Sequence, residues 1–266
     1  MNPKRFKAII LDYYRKSGRH DLPWRKTRDP YRILVSETML QQTQVPRVLK
    51  KYEEFLAEFP TASDLAKAPT AQVLRIWQGL GYNRRALLLK RAAESVIRDF
   101  GGKFPKTADD LESLPGIGQS TRGAIMAFAF DIPTVFIETN IRAVFLHFFF
   151  KDKKGVNDKK VLPLIEKTLD RRDPRAWYYA LMDYGVYLKR ILPNPSRRSA
   201  HHAKQSPFKG SNREIRARIV KFVLGGARTE KEIADHIGKT RHDVQKNIRN
   251  LVAEGFMKET EGRYEA

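Results

Sequence analysis

Apolar residues recur at helical spacing along most of the chain. Phe6, Ile9, Ile10, Tyr13 and Tyr14 share one face of a first helix that stops at Gly18. A loop carrying Pro23, Trp24 and Pro30 leads to a second apolar helix over 33–40. The same period predicts helices over 45–59, 63–67, 70–77 and 84–100, the last closed by Gly101-Gly102. Thr107 caps another short helix, with Asp109 and Asp110 in its first turn where the helix dipole favours negative charge. Strand signals are nearly absent before residue 255, so the expected fold class is all-α.

Between residues 190 and 211 the periodicity stops. The string Ile191-Leu192-Pro193-Asn194-Pro195-Ser196-Arg197-Arg198 is turn-rich and basic, and reads as a linker over 191–211. Lys189, Arg190, Arg197, Arg198, Lys204, Lys209, Arg213, Arg216 and Arg218 face one acid, Glu214. Such a run is either a solvated face or a strip that contacts phosphates, with Arg197 and Arg198 as the candidates. A compact pattern follows over 212–266. Ile215, Ile219, Phe222 and Val223 mark one helix. Thr229 and Glu232 form a capping box opening a second, and Thr240 opens a third through Val244, Ile248 and Leu251. Residues 256–264 alternate around Glu261-Gly262 as a hairpin. Three helices and a hairpin resemble a small winged helix, whose third helix offers Arg241 and its basic neighbours to DNA or, alternatively, serves to dock protein.

Charge narrows the partner. With 51 Lys and Arg against 30 Asp and Glu among 266 residues, the net charge is +21. A surplus of that size repels itself and points to a polyanion, with nucleic acid ahead of an acidic membrane surface. No apolar run approaches the roughly 20 residues of a membrane span, and no signal peptide is visible, so a cytoplasmic protein without membrane contact is expected. The absence of cysteine excludes disulfides, thiolate zinc sites and cysteine-held iron–sulfur clusters. Adjacent His201 and His202 do not share a helical face and lack nearby ligands, so no metal and no cofactor are expected.

The most informative string is Leu114-Pro115-Gly116-Ile117-Gly118, between two predicted helices and followed by Ser120, Thr121, Gly123 and Ala124. Its glycines permit a tight hairpin whose backbone amides open a helix. Amides so placed bind a phosphate without reading sequence. Small residues behind it let two helices approach.

With this hairpin, Leu22-Pro23-Trp24, the string from Ser36 through Val45, Trp77-Gln78-Gly79-Leu80-Gly81-Tyr82 and Gly101-Gly102-Lys103-Phe104-Pro105, the chain resembles the helix-hairpin-helix-GPD superfamily over about residues 1–190. Within it, the MutY-like adenine mismatch glycosylases are nearest in pattern. The resemblance implies a two-lobed helix-hairpin-helix glycosylase core, one lobe over about 28–135 and the other over 1–27 plus 136–190. It also implies a monomer acting on double-stranded DNA that contains a mispaired or damaged base.

Breaking an N-glycosidic bond requires a proton for the leaving base and a carboxylate for the sugar cation. Glu37 sits in an apolar helix, where burial raises a carboxyl pKa toward that of a proton donor. The resemblance gives Glu37 that role. The second acid departs from the family, whose aspartate before Gly-Asn is here Glu138 in Glu138-Thr139-Asn140. Glu138 moves the charge by one methylene, so either the backbone adjusts or the chemistry changes. Asn140 is expected to orient a carboxylate or the sugar, or to cap the next helix.

Gln41, Gln42 and Tyr82 match family positions that fill the vacated stack and contact the opposite base, and Arg84 and Arg85 are expected at phosphates. Asp183 matches an acid of structural role. Ser120 stands where endonuclease III-like relatives carry a Schiff-base lysine, which implies base excision without strand cleavage. The family's usual four cysteines after Leu188 are missing, so the loop there must be ordered by packing, prolines and DNA. The winged helix stands where MutY-like enzymes carry an 8-oxoguanine reader. Three readings stay open: a glycosylase for adenine in mispairs, one for thymine or uracil opposite guanine or a damaged purine, and a silent lesion-binding protein.

Overall fold

The computed structural model describes residues 1–203 and 207–266, and Lys204 of the basic run lies outside the described residues. Among them the chain forms helices α1 (Pro3–Ser17), α2 (Pro30–Leu40), α3 (Val45–Glu58), α4 (Ala62–Lys67), α5 (Thr70–Trp77), α6 (Arg84–Phe100) and α7 (Ala108–Ser113). Then come α8 (Gln119–Phe130), α9 (Thr139–Phe149), α10 (Asp158–Thr168), α11 (Pro174–Ile191), α12 (Asn212–Val223), α13 (Glu230–Ile237) and α14 (Arg241–Ala253). The fold is all-α apart from a small C-terminal sheet formed by β1 (Arg228–Thr229), β2 (Lys258–Thr260) and β3 (Arg263–Glu265).

Local signals explain the boundaries. Thr229 and Glu232 close the capping box that starts α13, and Thr240 accepts from the Asp243 amide to start α14. The expected hairpin pairs β2 with β3, while β1 adds an unexpected edge through Arg228 opposite Tyr264 and Thr229 opposite Arg263. Two residues are too few to show an alternating pattern. No helix of the described residues is long and apolar enough to cross a membrane.

The described residues divide into two compact units, 1–37 with 104–113 and 117–203, and 38–103 with 114–116 and 207–266. In the first, Phe6 of α1 meets Phe145 of α9 at 5.2 Å and Trp177 of α11 at 5.9 Å between ring centres. Helix α8 joins this core because Gly123 has no side chain. A Cβ there would lie 2.5 Å from Phe136 Cβ. Phe128 of α8 also stacks on Tyr179 of α11 at 4.1 Å. This grouping differs from the lobes expected above, which put residues 28–135 together.

In the basic segment after α11, residues 195–200 are tied to the first unit by hydrogen bonds. Pro195–Arg198 forms a 3-10 turn, and Ser196 Oγ donates to the Thr139 carbonyl at 2.9 Å. Val156 N–H donates to the Arg198 carbonyl and Ala200 N–H to that of Val156, both at 3.0 Å. Arg198 donates to the carbonyls of Leu146 (2.9 Å), Phe150 (2.6 Å) and Lys151, satisfying groups left open at the end of α9. Its guanidinium is thus engaged by protein, whereas Arg197 is exposed. With no cysteine, the segment does not fit a cysteine-held cluster; backbone pairing and Arg198 close it instead.

In the second unit, Phe55 of α3 packs on Phe59 and on Trp77 of α5, at 5.0 and 5.9 Å. Helices α12–α14 enclose Ile219, Ile233, Val244, Ile248 and Leu251. They pack within the same unit as α3–α6. Arg75 donates to the Leu224 carbonyl at 3.1 Å, and Arg91 to that of Glu254 at 2.7 Å.

Candidate active site

Helix α2 carries Glu37 in its third turn, behind buried Ile33, Leu34, Val35 and Ser36. A helix-capping role is excluded by that position. Ser36 Oγ turns back to the Ile33 carbonyl at 2.8 Å. Glu37 keeps part of its surface open to solvent, yet protein surrounds the carboxyl closely. Burial, reinforced by the negative charge of Glu138 and opposed by Arg25, raises its pKa to about 7.

Arg25, the smallest of these influences, has its own charge matched. It forms a two-pronged ion pair with Asp183, at 2.7 and 2.8 Å, and lies 4.4 Å from the Tyr179 ring centre. Asp183, only 2% exposed, also accepts from the Arg19 backbone at 2.8 Å and from Arg19 Nε at 2.7 Å. Burial alone would raise the Asp183 pKa, but the arginine hydrogen bonds outweigh it and hold the carboxyl below its usual range.

Glu138 is the N-cap of α9. One oxygen, Oε1, accepts from the Asn140 and Ile141 amides at 2.7 and 2.8 Å, while Oε2 accepts from Asn140 Nδ2 at 3.1 Å. The extra methylene is absorbed because the side chain curls back onto the helix N-terminus. Asn140 is therefore not the cap; it bridges Glu138 to Lys189, whose Nζ donates to Asn140 Oδ1 at 2.8 Å. Burial lowers the Lys189 pKa, with Glu138 opposing the shift and Arg142 adding to it. The basic run in the sequence concealed this lysine.

Gly185 of α11 holds the Asn140 segment close, since a Cβ there would lie 2.4 Å from the Asn140 carbonyl oxygen. Gly185→Ala must displace Glu138 and Asn140, and a shift of about 1 Å can cost about 100-fold in rate. The variant is expected to fall by that order in single-turnover excision while remaining folded by circular dichroism. An unchanged rate would contradict the placement of Glu138.

The hairpin supplies a different surface. Gly116 takes φ +80°, and a Cβ there would lie 2.8 Å from Leu88 Cβ. Gly118 is the N-cap of α8, and no side chain caps the amides there. Gly118 and Ser120 are exposed, as a phosphate-binding turn requires. Thr121 is 7% exposed, packed into α8's buried face and away from that surface. Arg122 and Glu112 form an ion pair at 3.0 Å that ties α8 to α7.

In the other unit, Gln41 and Gln42 follow α2 and are exposed, Tyr82 is half-buried, and Arg84 and Arg241 are exposed at the starts of α6 and α14. Arg85 departs from expectation. It is 8% exposed, and its guanidinium donates to the carbonyls of Thr38 (2.8 Å), Met39 (3.0 Å), Leu80 (3.2 Å), Gly81 (3.0 Å) and Gln41, and to Thr43 Oγ1 (3.1 Å). It binds two loops together instead of meeting phosphate. Among the described residues no group of three His, Cys, Asp or Glu is arranged to hold a metal.

The family model for HhH-GPD superfamily base excision DNA repair proteins matches residues 35–170. The chain belongs to that superfamily. Adenine DNA glycosylase of Buchnera aphidicola (Baizongia pistaciae) is 35% identical over 69% of this chain and 52% of its own length. Thymine/uracil-DNA glycosylase of Pyrobaculum aerophilum is also 35% identical, over 62% of this chain and 70% of its own. The solved structure of a thermostable thymine-DNA glycosylase superposes with TM-score 0.62 at 30% identity, over 69% of this chain and 85% of that one. The chain spans about half the length of the bacterial adenine DNA glycosylases it matches.

Proposed function

We propose that the protein is a monofunctional DNA glycosylase that hydrolyses the N-glycosidic bond of a mispaired base, adenine first. The observation that carries this reading is the pairing of two unlike carboxyls. Glu37 has its pKa raised to about 7 and can hold a proton near neutrality, while Glu138 is fixed by two backbone amides and Asn140.

As the bond between C1′ and the base nitrogen breaks, its electron pair leaves with the base, which takes the proton of Glu37. The Glu138 carboxylate faces the sugar cation, with Lys189 and Asn140 holding its geometry. Water adds to C1′, and its proton returns to Glu37, which restores the acid. Extrusion of the target base costs a few kcal/mol of unstacking. The exposed amides at Gly118 and Ser120 and the exposed Arg84, Arg197 and Arg241 supply phosphate contacts to a double-stranded partner bound by a monomer. Ser120 presents a hydroxyl, which forms no imine, so excision should end at an abasic site.

Thymine or uracil opposite guanine is the second reading, favoured by the thymine/uracil-DNA glycosylase similarity. Duplexes carrying adenine, thymine or uracil opposite each base, incubated and then treated with alkali, decide between them. Adenine release from mispairs is expected, with no strand break before alkali and no adduct on borohydride trapping. Release of thymine or uracil alone would select the second reading. Absence of release from every duplex would overturn both.

A further inference from the structure

Helix α11 passes the start of α9 with Gly185 and, one turn later, Lys189 on the same face. Gly185 leaves room for the Asn140 backbone, and Lys189 Nζ donates to Asn140 Oδ1 at 2.8 Å. Around this ammonium the other charges are already matched. Arg142 forms a two-pronged ion pair with Asp158, at 2.8 and 2.6 Å. Glu138 spends Oε1 on two backbone amides and Oε2 on Asn140 Nδ2. Among the described residues Lys189 therefore meets a neutral oxygen, and its nitrogen has further N–H donors to offer another acceptor.

A cation so placed carries two penalties. Lys189 is half-buried, and burial lowers its pKa. Its charge also works against the sugar cation, since both lie beside the Glu138 carboxylate. A second anion at Lys189 removes both penalties at once. The anions of duplex DNA are its phosphodiesters, and those flanking the extruded nucleotide lie nearest to its C1′. Ammonium and phosphate oxygen form short, charge-assisted hydrogen bonds. The neighbourhood adds positive charge and no open acid. Exposed Arg197 follows Ser196, whose Oγ holds the Thr139 carbonyl beside Glu138.

The geometry points to Lys189 as a phosphate-binding residue, whose remaining donors take a non-bridging oxygen of the phosphodiester next to the extruded nucleotide. One side chain then ties the substrate backbone to Asn140 and, through it, to Glu138. Binding of the duplex and alignment of the carboxylate become a single event. This rests on the glycosylase reading above, which supplies the extruded nucleotide.

Fluorescence anisotropy with a duplex holding a tetrahydrofuran abasic analogue measures the contact without chemistry. In two further duplexes an uncharged methylphosphonate replaces the phosphodiester on the 5′ or the 3′ side of the analogue. The wild-type protein is expected to lose about tenfold in affinity on one of these two. Lys189→Met and Lys189→Gln, the second of which keeps an N–H for Asn140, should lose a similar factor on the unmodified duplex. On the methylphosphonate that weakens the wild type, they should lose no more than about twofold further. Their dependence of log affinity on log salt should also be shallower by about one. Equal wild-type affinity for all three duplexes would overturn the proposal. So would Lys189 variants that keep the full methylphosphonate loss and the wild-type salt slope, which would leave the lysine as a support for Asn140 alone. Failure of the glycosylase reading would appear separately, as no excision by wild-type protein on any mispair.

Discussion

Glu37→Gln is expected to lower single-turnover base excision by about 10²- to 10⁴-fold while leaving affinity for an abasic-analogue duplex within about threefold. Glutamine preserves the shape and hydrogen-bonding reach of the side chain but has no proton to give the leaving base. The wild-type rate should fall as the pH rises through about 7, approaching tenfold per unit above it, because only protonated Glu37 acts as the acid. Glu138 raises that pKa, so Glu138→Gln should move the falling limb to lower pH as well as reduce the rate. Stability follows the opposite order. The folded pKa lies above the ordinary glutamate value of 4.5, so stability is lost as pH rises from there through about 7. Glu37→Gln removes that loss, and above pH 7 the variant should be more resistant to urea than the wild type, by up to about 3 kcal/mol. At pH 4.5 the two should unfold nearly together. A variant with normal turnover, or one less stable than wild type at pH 8, would sink the assignment.

The helices, and the buried acid proposed above as proton donor, were largely legible in the sequence, for physical reasons. Residues 84–100 carry an unbroken amphipathic period ended by two glycines, and α6 occupies that span. Thr229 and Glu232 announced a helix start that is present as drawn. Glu37 stood out because an ionisable group among Ile33, Leu34, Val35 and Met39 has to have a reason to be there. What the sequence concealed was the use of its cations. Arg84 and Arg85 are adjacent letters, but a helix turns about 100° between them, so one faces solvent and the other the interior. Arg198 and Lys189 sat in a run that read as a solvated face or a phosphate-contacting strip, yet one closes α9 and the other holds Asn140. A charge count cannot tell a guanidinium that faces water from one that satisfies carbonyls. That distinction depends on where helices end in space. Asn140 shows the same limit: whether it or Glu138 caps α9 is decided by side-chain length and the curl of one carboxylate.

Arg85→Met should have the largest effect on stability, on the order of 3 kcal/mol or more. Methionine fills similar volume, so the loss isolates the hydrogen bonds. The carbonyls of Thr38 and Met39 lie in the last turn of α2, where main-chain oxygens have no partner within the helix. Arg85 serves these, then reaches Leu80, Gly81 and Thr43 with the same planar fork. Burial lowers its pKa to about 10, which still leaves it cationic at neutral pH, and the negative end of the α2 dipole faces that charge. Lysine has three donors on a single nitrogen and cannot span the same acceptors, so Arg85→Lys should recover little of the loss. The same bonds set the backbone on either side of Gln42 and Tyr82. At a temperature where the variant remains folded, binding to the abasic-analogue duplexes should therefore weaken by a similar factor whichever base is opposite. A stable Arg85→Met protein with wild-type affinity would remove Arg85 from this role.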